Sequence, residues 1–277
     1  MRYLLKFLNK IRIIKKVLSH DISRKFKQDI LVSYFRCVLL NSFYSTSNRC
    51  SLLGYKFNYC VFSSFEYIFN EIFIDQEYSF HSDTSSPFII DCGSNIGMSI
   101  LYFKYLYPNA SVIGFEPDKD AYDCLVSNIE ENKLSSISLH NCALAEKSGE
   151  VQFQSDSNDP GSLINTTQST TSNSMCVVKA EQLSGYIDKT VDFLKMDIEG
   201  AELEVIQELN DSGKLKLVNK MMIEYHHHMI DKSTDNLSVL LALLENADFG
   251  YQLDCEVARP FKSFDHQNMI IFAYKKK

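Results

Sequence analysis

The chain has 277 residues, 45% of them hydrophobic, so it can bury a full core and is not an intrinsically disordered protein. Its formal net charge of −7 disfavours a nucleic-acid-binding protein, which needs a basic face. The charge is uneven, because residues 1–36 hold ten Lys or Arg and two acids, which leaves a net charge of −15 for the rest.

Residues 1–50 are predicted to form a basic helical extension that differs in character from the main domain at residues 51–277. Its apolar residues recur at near-helical spacing with cations between them, at Leu4, Leu5, Phe7, Leu8, Ile11, Ile14, Val17 and Leu18. Such a helix can pack its apolar face on the main domain or on a second subunit, or it can lie on an anionic membrane surface. We expect packing, with peripheral membrane contact through residues 1–36 as the alternative.

Several features predict a cytoplasmic protein. The apolar residues at the N-terminus are interrupted by cations and do not form a cleavable signal peptide. Every apolar run falls short of the roughly 18 residues that a membrane span needs. The eight cysteines include no CxxC pair, and we interpret them as reduced and mostly buried thiols.

From Phe88 onward, strands alternate with helices, which is typical of a mostly parallel sheet covered on both faces. The predicted strands are Phe88–Asp91, Ser111–Phe115, Ile137–Cys142, Val191–Met196, Met221–Tyr225, Tyr251–Leu253 and Met269–Tyr274. The predicted helices are Ser99–Tyr107, Asp120–Asn132, Ala201–Leu209 and Asn236–Asn246. The segment Gln154–Ser174, rich in Ser, Thr and Asn, is predicted to be a surface loop or lid.

The turn after the first of these strands carries the pattern D-x-G-x-N-x-G, formed by Asp91, Gly93, Asn95 and Gly97. Glycine lets the backbone approach a ligand closely. The dinucleotide fingerprint G-x-G-x-x-G would have its second glycine at Asn95, and an acid fits poorly against a pyrophosphate. Glu116, at the end of the next strand, is placed to accept hydrogen bonds from two ribose hydroxyls. The pattern therefore predicts a nucleoside cofactor that carries positive charge.

Further candidate ligand-binding residues lie at the ends of the later strands, at the sheet edge where ligands bind in such folds. They are Asn141, Cys142 and Ala143 at the end of the third strand, Asp197, Glu199 and Gly200 at the end of the fourth, and Glu224 and His226 at the end of the fifth. Asp197 and Glu199 are two residues apart, as are Glu224 and His226. If each pair is extended, its members share a face and converge on one pocket.

Four segments, in this order, resemble the FkbM-type methyltransferases: IIDCGSNIG, VIGFEPD, LKMDIEGAE and MIEYH. The likeness runs from Gly54 to Phe272 and includes the lead-in NEIFIDQEYSF at residues 70–80. It implies an α/β class I methyltransferase fold, with a Rossmann-like, seven-stranded, mostly parallel sheet and helices on both faces. It also implies S-adenosylmethionine as the cofactor and O-methylation of a hydroxyl, here of a sugar or a glycan precursor.

The resemblance also implies which residues bind the cofactor. These are Asp91, Gly93, Asn95 and Gly97 for the methionine part, Glu116 for the ribose, Asn141 and Ala143 for the adenine, and Asp197 for the transferred methyl. Many relatives carry Ala at the position of Ser94, and both side chains are small.

A sugar hydroxyl is a poor nucleophile unless a base removes its proton as it attacks. We predict His226 as this base, because an imidazole with a pKa near ~6.5 suits neutral pH. Asp197 would orient the acceptor, with Glu199 beside it. Glu71 and Tyr78, in the lead-in, are candidates for covering the acceptor.

A divalent cation is an alternative ligand for this region, because carboxylates with one imidazole suit Mg²⁺ or Mn²⁺. The candidate metal ligands are Asp197, Glu224 and His226, with Glu199 nearby. We expect no metal.

Two other classes of function stay open. An NAD-dependent dehydrogenase has a similar fold, but the third fingerprint glycine is missing and the second set of strand-end acids is unexplained. A non-catalytic binding protein would not need polar residues at every strand end. A nucleic-acid methyltransferase is disfavoured by the acidic main domain and by the lack of an Asn/Asp-Pro-Pro-aromatic motif.

Overall fold

The strands and helices come from a computed structural model that describes residues 2–40, 48–156, 173–227, 236–255 and 267–276. In chain order the strands are β1 (Arg49–Leu52), β2 (Tyr55–Asn58), β3 (Phe88–Cys92), β4 (Ser111–Phe115), β5 (Ile137–His140), β6 (Ala143–Leu144), β7 (Gly149–Asp156), β8 (Asn173–Glu181), β9 (Phe193–Met196), β10 (Lys220–His227), β11 (Phe249–Cys255) and β12 (Gln267–Lys275).

The helices are α1 (Arg2–Ser19), α2 (Arg24–Ser33), α3 (Phe62–Phe69), α4 (Met98–Leu106), α5 (Lys119–Glu131), α6 (Glu202–Asp211) and α7 (Leu237–Asn246). Wider, π-helical turns continue α2 over Tyr34–Leu40 and α3 over Asn70–Asp75. Short 3₁₀ segments lie at Leu183–Tyr186 and Leu215–Leu217. No helix in the described ranges is long and apolar enough to cross a lipid bilayer.

The centre of the fold is a seven-stranded sheet with the order β11-β12-β10-β9-β3-β4-β5. The strands from β10 to β5 in this order are parallel, whereas β12 runs antiparallel to both β10 and β11. The chain moves outward from β3 to β5 and then returns to the other side of β3 at β9. This reversal creates a crevice between β3 and β9, the place where ligands bind in open α/β sheets.

Both faces of the sheet are buried, which is why its central strands are continuous apolar runs. Side chains alternate between the faces, so that Ile89 and Phe193 lie in one core cluster and Ile90 and Leu194 in the other. Helices α4 and α5 pack on the first face, and helices α6 and α7 pack on the second. The predicted alternation of strands and helices and the predicted fold class are confirmed.

Some sequence predictions about the strands are wrong. The third predicted strand ends at His140 instead of Cys142, and Ala143 joins a separate three-stranded sheet with the order β6-β8-β7. The predicted loop Gln154–Ser174 is strand at both ends, where β7 and β8 pair antiparallel. The middle of that segment, residues 157–172, lies outside the described residues. The hairpin of β1 and β2 was also not predicted.

The N-terminal helices pack their apolar face on the main domain. Val17, Phe26 and Ile30 are buried in the same core cluster as residues of α3 and α4. The ring of Phe26 lies 6.0 Å from that of Tyr102 and 4.9 Å from that of Tyr105, centre to centre. The packing that we expected is therefore present in the described helices. The boundary near residue 50, the membrane contact and the self-association through residues 1–36 stay predictions.

We expect Ile30→Val to lower the free energy of unfolding by about 0.5 to 1.5 kcal/mol, because Ile30 is fully buried and the change removes one methyl from a packed core. Val32→Ala is the matched control, since Val32 lies on the same helix and is 49% exposed. Urea denaturation of the full chain measures both. Equal midpoints for the two variants would contradict the packing of this helix on the main domain.

Candidate functional site

The candidate site lies at the carboxyl ends of β3, β4, β9 and β10, next to the crevice between β3 and β9. It has a turn that follows β3, a carboxylate that follows β4, and a cluster of carboxylates with one imidazole at β9 and β10.

The turn after β3 is held by the backbone and depends on glycine. The amides of Gly93 and Ser94 both donate to the carbonyl oxygen of Phe115, at 3.0 and 2.8 Å. Gly93 has a φ of +86°, and a Cβ built there would lie 1.9 Å from the carbonyl oxygen of Asp197. Gly97 has a φ of +89° at the start of α4. Both predicted turn glycines are therefore required by backbone conformation, and Gly93 also by the close approach of β9.

Glu116 joins two turns through its carboxylate. Its Oε2 accepts from the amide of Asn95 at 2.8 Å, and its Oε1 accepts from the amide of Asp118 at 2.8 Å. Burial raises the pKa of Glu116 to about 8, although the two backbone amides lower it. Asn141 donates from its Nδ2 to the carbonyl of Glu116 at 2.8 Å. The structure thus brings Asn95, Glu116 and Asn141 together, as the sequence predicted.

Asp91 lies in β3, which extends one residue beyond the predicted end at Asp91, and its side chain is fully buried. Its Oδ2 accepts from the hydroxyl of Ser99 at 2.6 Å, and its Oδ1 is 3.8 Å from Nζ of Lys195. Among the described residues, Oδ1 accepts no hydrogen bond. Burial raises the pKa of Asp91, and Lys195 opposes this rise. The predicted contact of Asp91 with a cofactor stays a prediction.

Lys195 is a site residue that sequence reasoning missed. It is 2% exposed, and its Nζ donates to the carbonyl of Gly93 at 2.5 Å and to Oδ2 of Asp197 at 3.2 Å. Burial lowers the pKa of Lys195, but the charges of Asp197 and Asp91 outweigh it and raise the pKa above its ordinary value. Lys195 therefore ties the ends of β3 and β9 together. The signal in the sequence was a single cation inside a buried apolar strand.

Glu202 is a second missed residue, and it organises the turn between β9 and α6. Its Oε1 accepts from the amides of Gly200 at 2.9 Å and Ile198 at 3.3 Å. The same oxygen lies 2.9 Å from Nδ1 of His226. Glu199, within this turn, has a φ of +63°. The Asp197–Glu199 pair therefore does not meet the condition of an extended backbone, because the backbone is left-handed at Glu199.

The turn nevertheless brings Asp197 and Glu199 to His226. Nε2 of His226 is 2.6 Å from Oε2 of Glu199 and 3.9 Å from Oδ1 of Asp197. Glu224 and His226 lie two residues apart within β10 and so share a face, although β10 extends to His227 instead of ending at Tyr225. The predicted set of strand-end acids around one imidazole is thus assembled.

The surroundings of His226 count against its predicted role as a base. Burial lowers the pKa of His226, but Glu199 and Glu202 outweigh it and raise the pKa to about 12. An imidazole that holds its proton at neutral pH has no lone pair to accept another. The role of His226 as the base stays a prediction, and this geometry disfavours it.

Residues of the lead-in lie beside this cluster. Tyr78 is 4% exposed, and Nζ of Lys195 is 5.4 Å from the centre of its ring. Burial and then the charge of Glu77 and Asp197 raise the pKa of Glu71 to about 8, although a hydrogen bond from Tyr67 lowers it. The π-helical continuation of α3 therefore places Glu71 near Asp197. The predicted covering of an acceptor by Glu71 and Tyr78 stays a prediction.

The strand order, the turn after β3 and the acid after β4 are those of the class I methyltransferase fold. The family model of the methyltransferase FkbM domain matches residues 91–253, more than half of the chain. The chain belongs to this family of methyltransferases.

Individual relatives are distant. The chain is 26% identical to methyltransferase 1 of Beauveria bassiana (strain ARSEF 2860), over 68% of this chain and 82% of the relative. It is 29% identical to methyltransferase sdnD of Sordaria araneosa, over 61% of this chain and 78% of the relative. A crystal structure of methyltransferase FkbM from Methylobacillus flagellatus KT matches with 17% identity and a TM-score of 0.49, over 98% of this chain. This chain spans 60% of the length of that solved chain.

Proposed function

We propose that the chain transfers the methyl group of S-adenosylmethionine to a hydroxyl oxygen, with a sugar or a glycan precursor as the acceptor. The observation that carries this proposal is the juxtaposition of the Glu116-bound turn with the carboxylate cluster at Asp197. The two lie at the carboxyl ends of neighbouring strands, so a cofactor bound at the turn would present its methyl group to the cluster.

The residues present fit this cofactor. Each oxygen of Glu116 accepts one backbone amide and keeps a second lone pair, which suits two ribose hydroxyls. Gly93 and Gly97 have left-handed backbones without a Cβ in the turn that would face the methionine part. The buried Oδ1 of Asp91, which accepts no hydrogen bond among the described residues, can receive a donor. The cofactor, when bound, supplies a methyl carbon attached to a sulfonium.

The accessible carboxylates define the acceptor side. The side chains of Asp197 and Glu199 are 22% and 30% exposed, whereas that of His226 is 2% exposed. A hydroxyl that enters the crevice therefore meets the carboxylates first and donates its hydrogen bond to one of them. This contact aligns an oxygen lone pair with the methyl carbon. We assign His226 the role of holding Glu199 in place, and Asp197 the role of orienting the acceptor.

Exposed carboxylates suit a sugar, whose hydroxyls donate hydrogen bonds, and Asp197 and Glu199 are partly exposed here. Glu71 adds a further acceptor on the same side.

The proposal is tested by calorimetric titration with S-adenosylmethionine, S-adenosylhomocysteine and NAD, followed by mass spectrometry of nucleotide sugars and glycans after incubation with S-adenosylmethionine. We expect the two adenosyl ligands to bind, NAD not to bind, and one methyl group to appear on an acceptor oxygen. Binding of NAD alone would overturn the cofactor and favour a dehydrogenase. Methylation confined to amines in a matched panel of amino sugars would overturn the hydroxyl acceptor.

A further inference from the structure

Asp197, Glu199 and His226 form a compact set of donor atoms at the ends of β9 and β10. One oxygen of each carboxylate and one ring nitrogen all lie within 4.8 Å of one another. Around an ion bound at about 2.1 Å, adjacent ligand atoms are about 3 Å apart and opposite ones about 4.2 Å apart. The observed separations from Nε2, 2.6 Å to Glu199 and 3.9 Å to Asp197, lie on either side of the separation of about 3 Å between adjacent ligands. Small side-chain movements therefore suffice to receive one ion.

Glu202 holds the ring of His226 in the orientation that a metal ligand needs. Its Oε1 lies 2.9 Å from Nδ1, so the proton shared there leaves Nε2 directed at Asp197 and Glu199. A carboxylate behind the imidazole is the usual partner of a metal-binding histidine. Glu202 is 1% exposed and is fixed in turn by the amide of Gly200. The donor set is therefore supported by a buried second carboxylate and is not a chance group of surface acids.

Two buried carboxylate oxygens in this cluster are incompletely satisfied. Oε2 of Glu202 is inaccessible to solvent and accepts no hydrogen bond from the described residues. Oε2 of Glu199 is also inaccessible, and its neighbour is Nε2 of His226 at 2.6 Å, an ion pair that requires a protonated imidazole. Burying carboxylate oxygens without a donor or a cation costs free energy. A bound cation would replace the Nε2 proton as the positive charge at the Glu199 oxygen.

The acidic groups also outnumber the cations nearby. Lys195 is already engaged by Asp91 and Asp197 at the base of the cluster. Glu224 adds a carboxyl group that is 9% exposed on the same face as His226. The excess of acidic groups makes this region favourable for a small, highly charged cation.

We propose that Asp197, Glu199 and His226 bind one divalent cation of the Mg²⁺ and Mn²⁺ class. The cation would displace the proton from Nε2 of His226, and that proton would pass to water. Two carboxylates and one imidazole leave coordination positions open for the acceptor hydroxyl, and a bound cation lowers the pKa of such a hydroxyl. This supplies the activation that His226 does not supply while both of its nitrogens face carboxylates. As methyl carbon and acceptor oxygen join, the carbon–sulfur bond breaks and the hydroxyl proton passes to water. The proposal differs from our sequence expectation, which was no metal, and it places Glu199 rather than Glu224 among the ligands.

The ion's role in the reaction rests on the proposed function, but its binding is measured without cofactor or acceptor. Mn²⁺ is the probe, and electron paramagnetic resonance and calorimetry on the full chain give the readout. We expect one Mn²⁺ per chain with a Kd below about 1 mM. Glu199→Gln and Asp197→Asn should each weaken binding at least about tenfold. Glu150→Gln, which removes the same charge from an exposed position on β7, should bind Mn²⁺ like the wild type.

Two results would overturn the proposal. One is no Mn²⁺ binding by the wild-type chain up to about 1 mM. The other is undiminished binding by both Glu199→Gln and Asp197→Asn, which would place the ion elsewhere. Glu199 is partly exposed, so Glu199→Gln should fold, and circular dichroism checks this. Titration of the same samples with S-adenosylmethionine separates failure of the cation site from failure of the proposed function.

Discussion

Gly93→Ala is expected to lower the free energy of unfolding by about 3 to 5 kcal/mol. The residue has a φ of +86°, where an L-residue with a Cβ is strained by roughly 1 to 2 kcal/mol. The added Cβ would also lie 1.9 Å from the carbonyl oxygen of Asp197, which belongs to the neighbouring strand's end and cannot rotate away. The chain must therefore separate β3 from β9 at the crevice, which also disturbs the contact of Lys195 with the carbonyl of Gly93.

Substitutions at two other glycines separate the strain of a left-handed backbone from the steric clash of the added Cβ. Gly54 has a φ of +89°, but a Cβ added there would meet no atom within 4 Å, so Gly54→Ala should show the backbone strain alone. Gly149 has open space and no left-handed backbone, so Gly149→Ala should change stability by less than about 1 kcal/mol. Urea denaturation of the three variants measures how much free energy of unfolding each one loses, which gives their order. If Gly93→Ala were no worse than Gly54→Ala, the close approach of β9 to the turn would be wrong.

The central sheet was predictable because its strands obey a simple rule. Strands buried on both faces are short apolar runs, and the small-residue turn after Phe88–Cys92 separates the first of them from its helix. The three-stranded sheet of β6, β7 and β8 was not predictable in the same way. Met175 and Val177, on β8, are 61% and 63% exposed although they are apolar, so the strand does not alternate between apolar buried and polar exposed residues. The composition of its flanking residues is also typical of a loop.

The sequence predicts most of the residues that form the site, but not how they are arranged relative to one another. Glu116, Asp197, Glu199 and His226 follow or end strands, and parallel strands carry such residues to one edge. The left-handed backbone at Glu199 could not be inferred, because that conformation is imposed by Glu202 binding the amides of the turn.

The two buried residues Lys195 and Glu202 escaped prediction because their roles depend on partners distant in the chain. Lys195 lies opposite Asp91 across two adjacent strands, and Glu202 lies against His226 on β10. Charged residues are rarely buried unless they are paired, so a lone Lys within a buried strand is the signal to use. In this chain that signal would have indicated an acidic partner on the neighbouring strand.

Glu116→Gln is expected to weaken the binding of S-adenosylmethionine by about 10- to 100-fold, which corresponds to about 1.4 to 2.8 kcal/mol. Both oxygens of Glu116 accept backbone amides, from Asn95 and from Asp118. A glutamine in this place must direct its NH₂ group at one of these donors, and a buried donor without an acceptor costs about 1 to 3 kcal/mol. The variant also loses the charge-assisted hydrogen bonds that we propose to the ribose hydroxyls.

The pH dependence separates the loss of charge from a general distortion of the turn. Because burial raises the pKa of Glu116 to about 8, part of the free protein carries a protonated carboxyl group at neutral pH. Ribose hydroxyls bind the ionised form, so affinity in the wild type should rise between about pH 6 and about pH 9. In Glu116→Gln the affinity for S-adenosylmethionine should no longer rise with pH. Glu130 is an exposed acid on α5, so Glu130→Gln should keep both the affinity of the wild type and its dependence on pH. Calorimetric titration at each pH measures this, and an unchanged slope in Glu116→Gln would mean that another group binds the ribose.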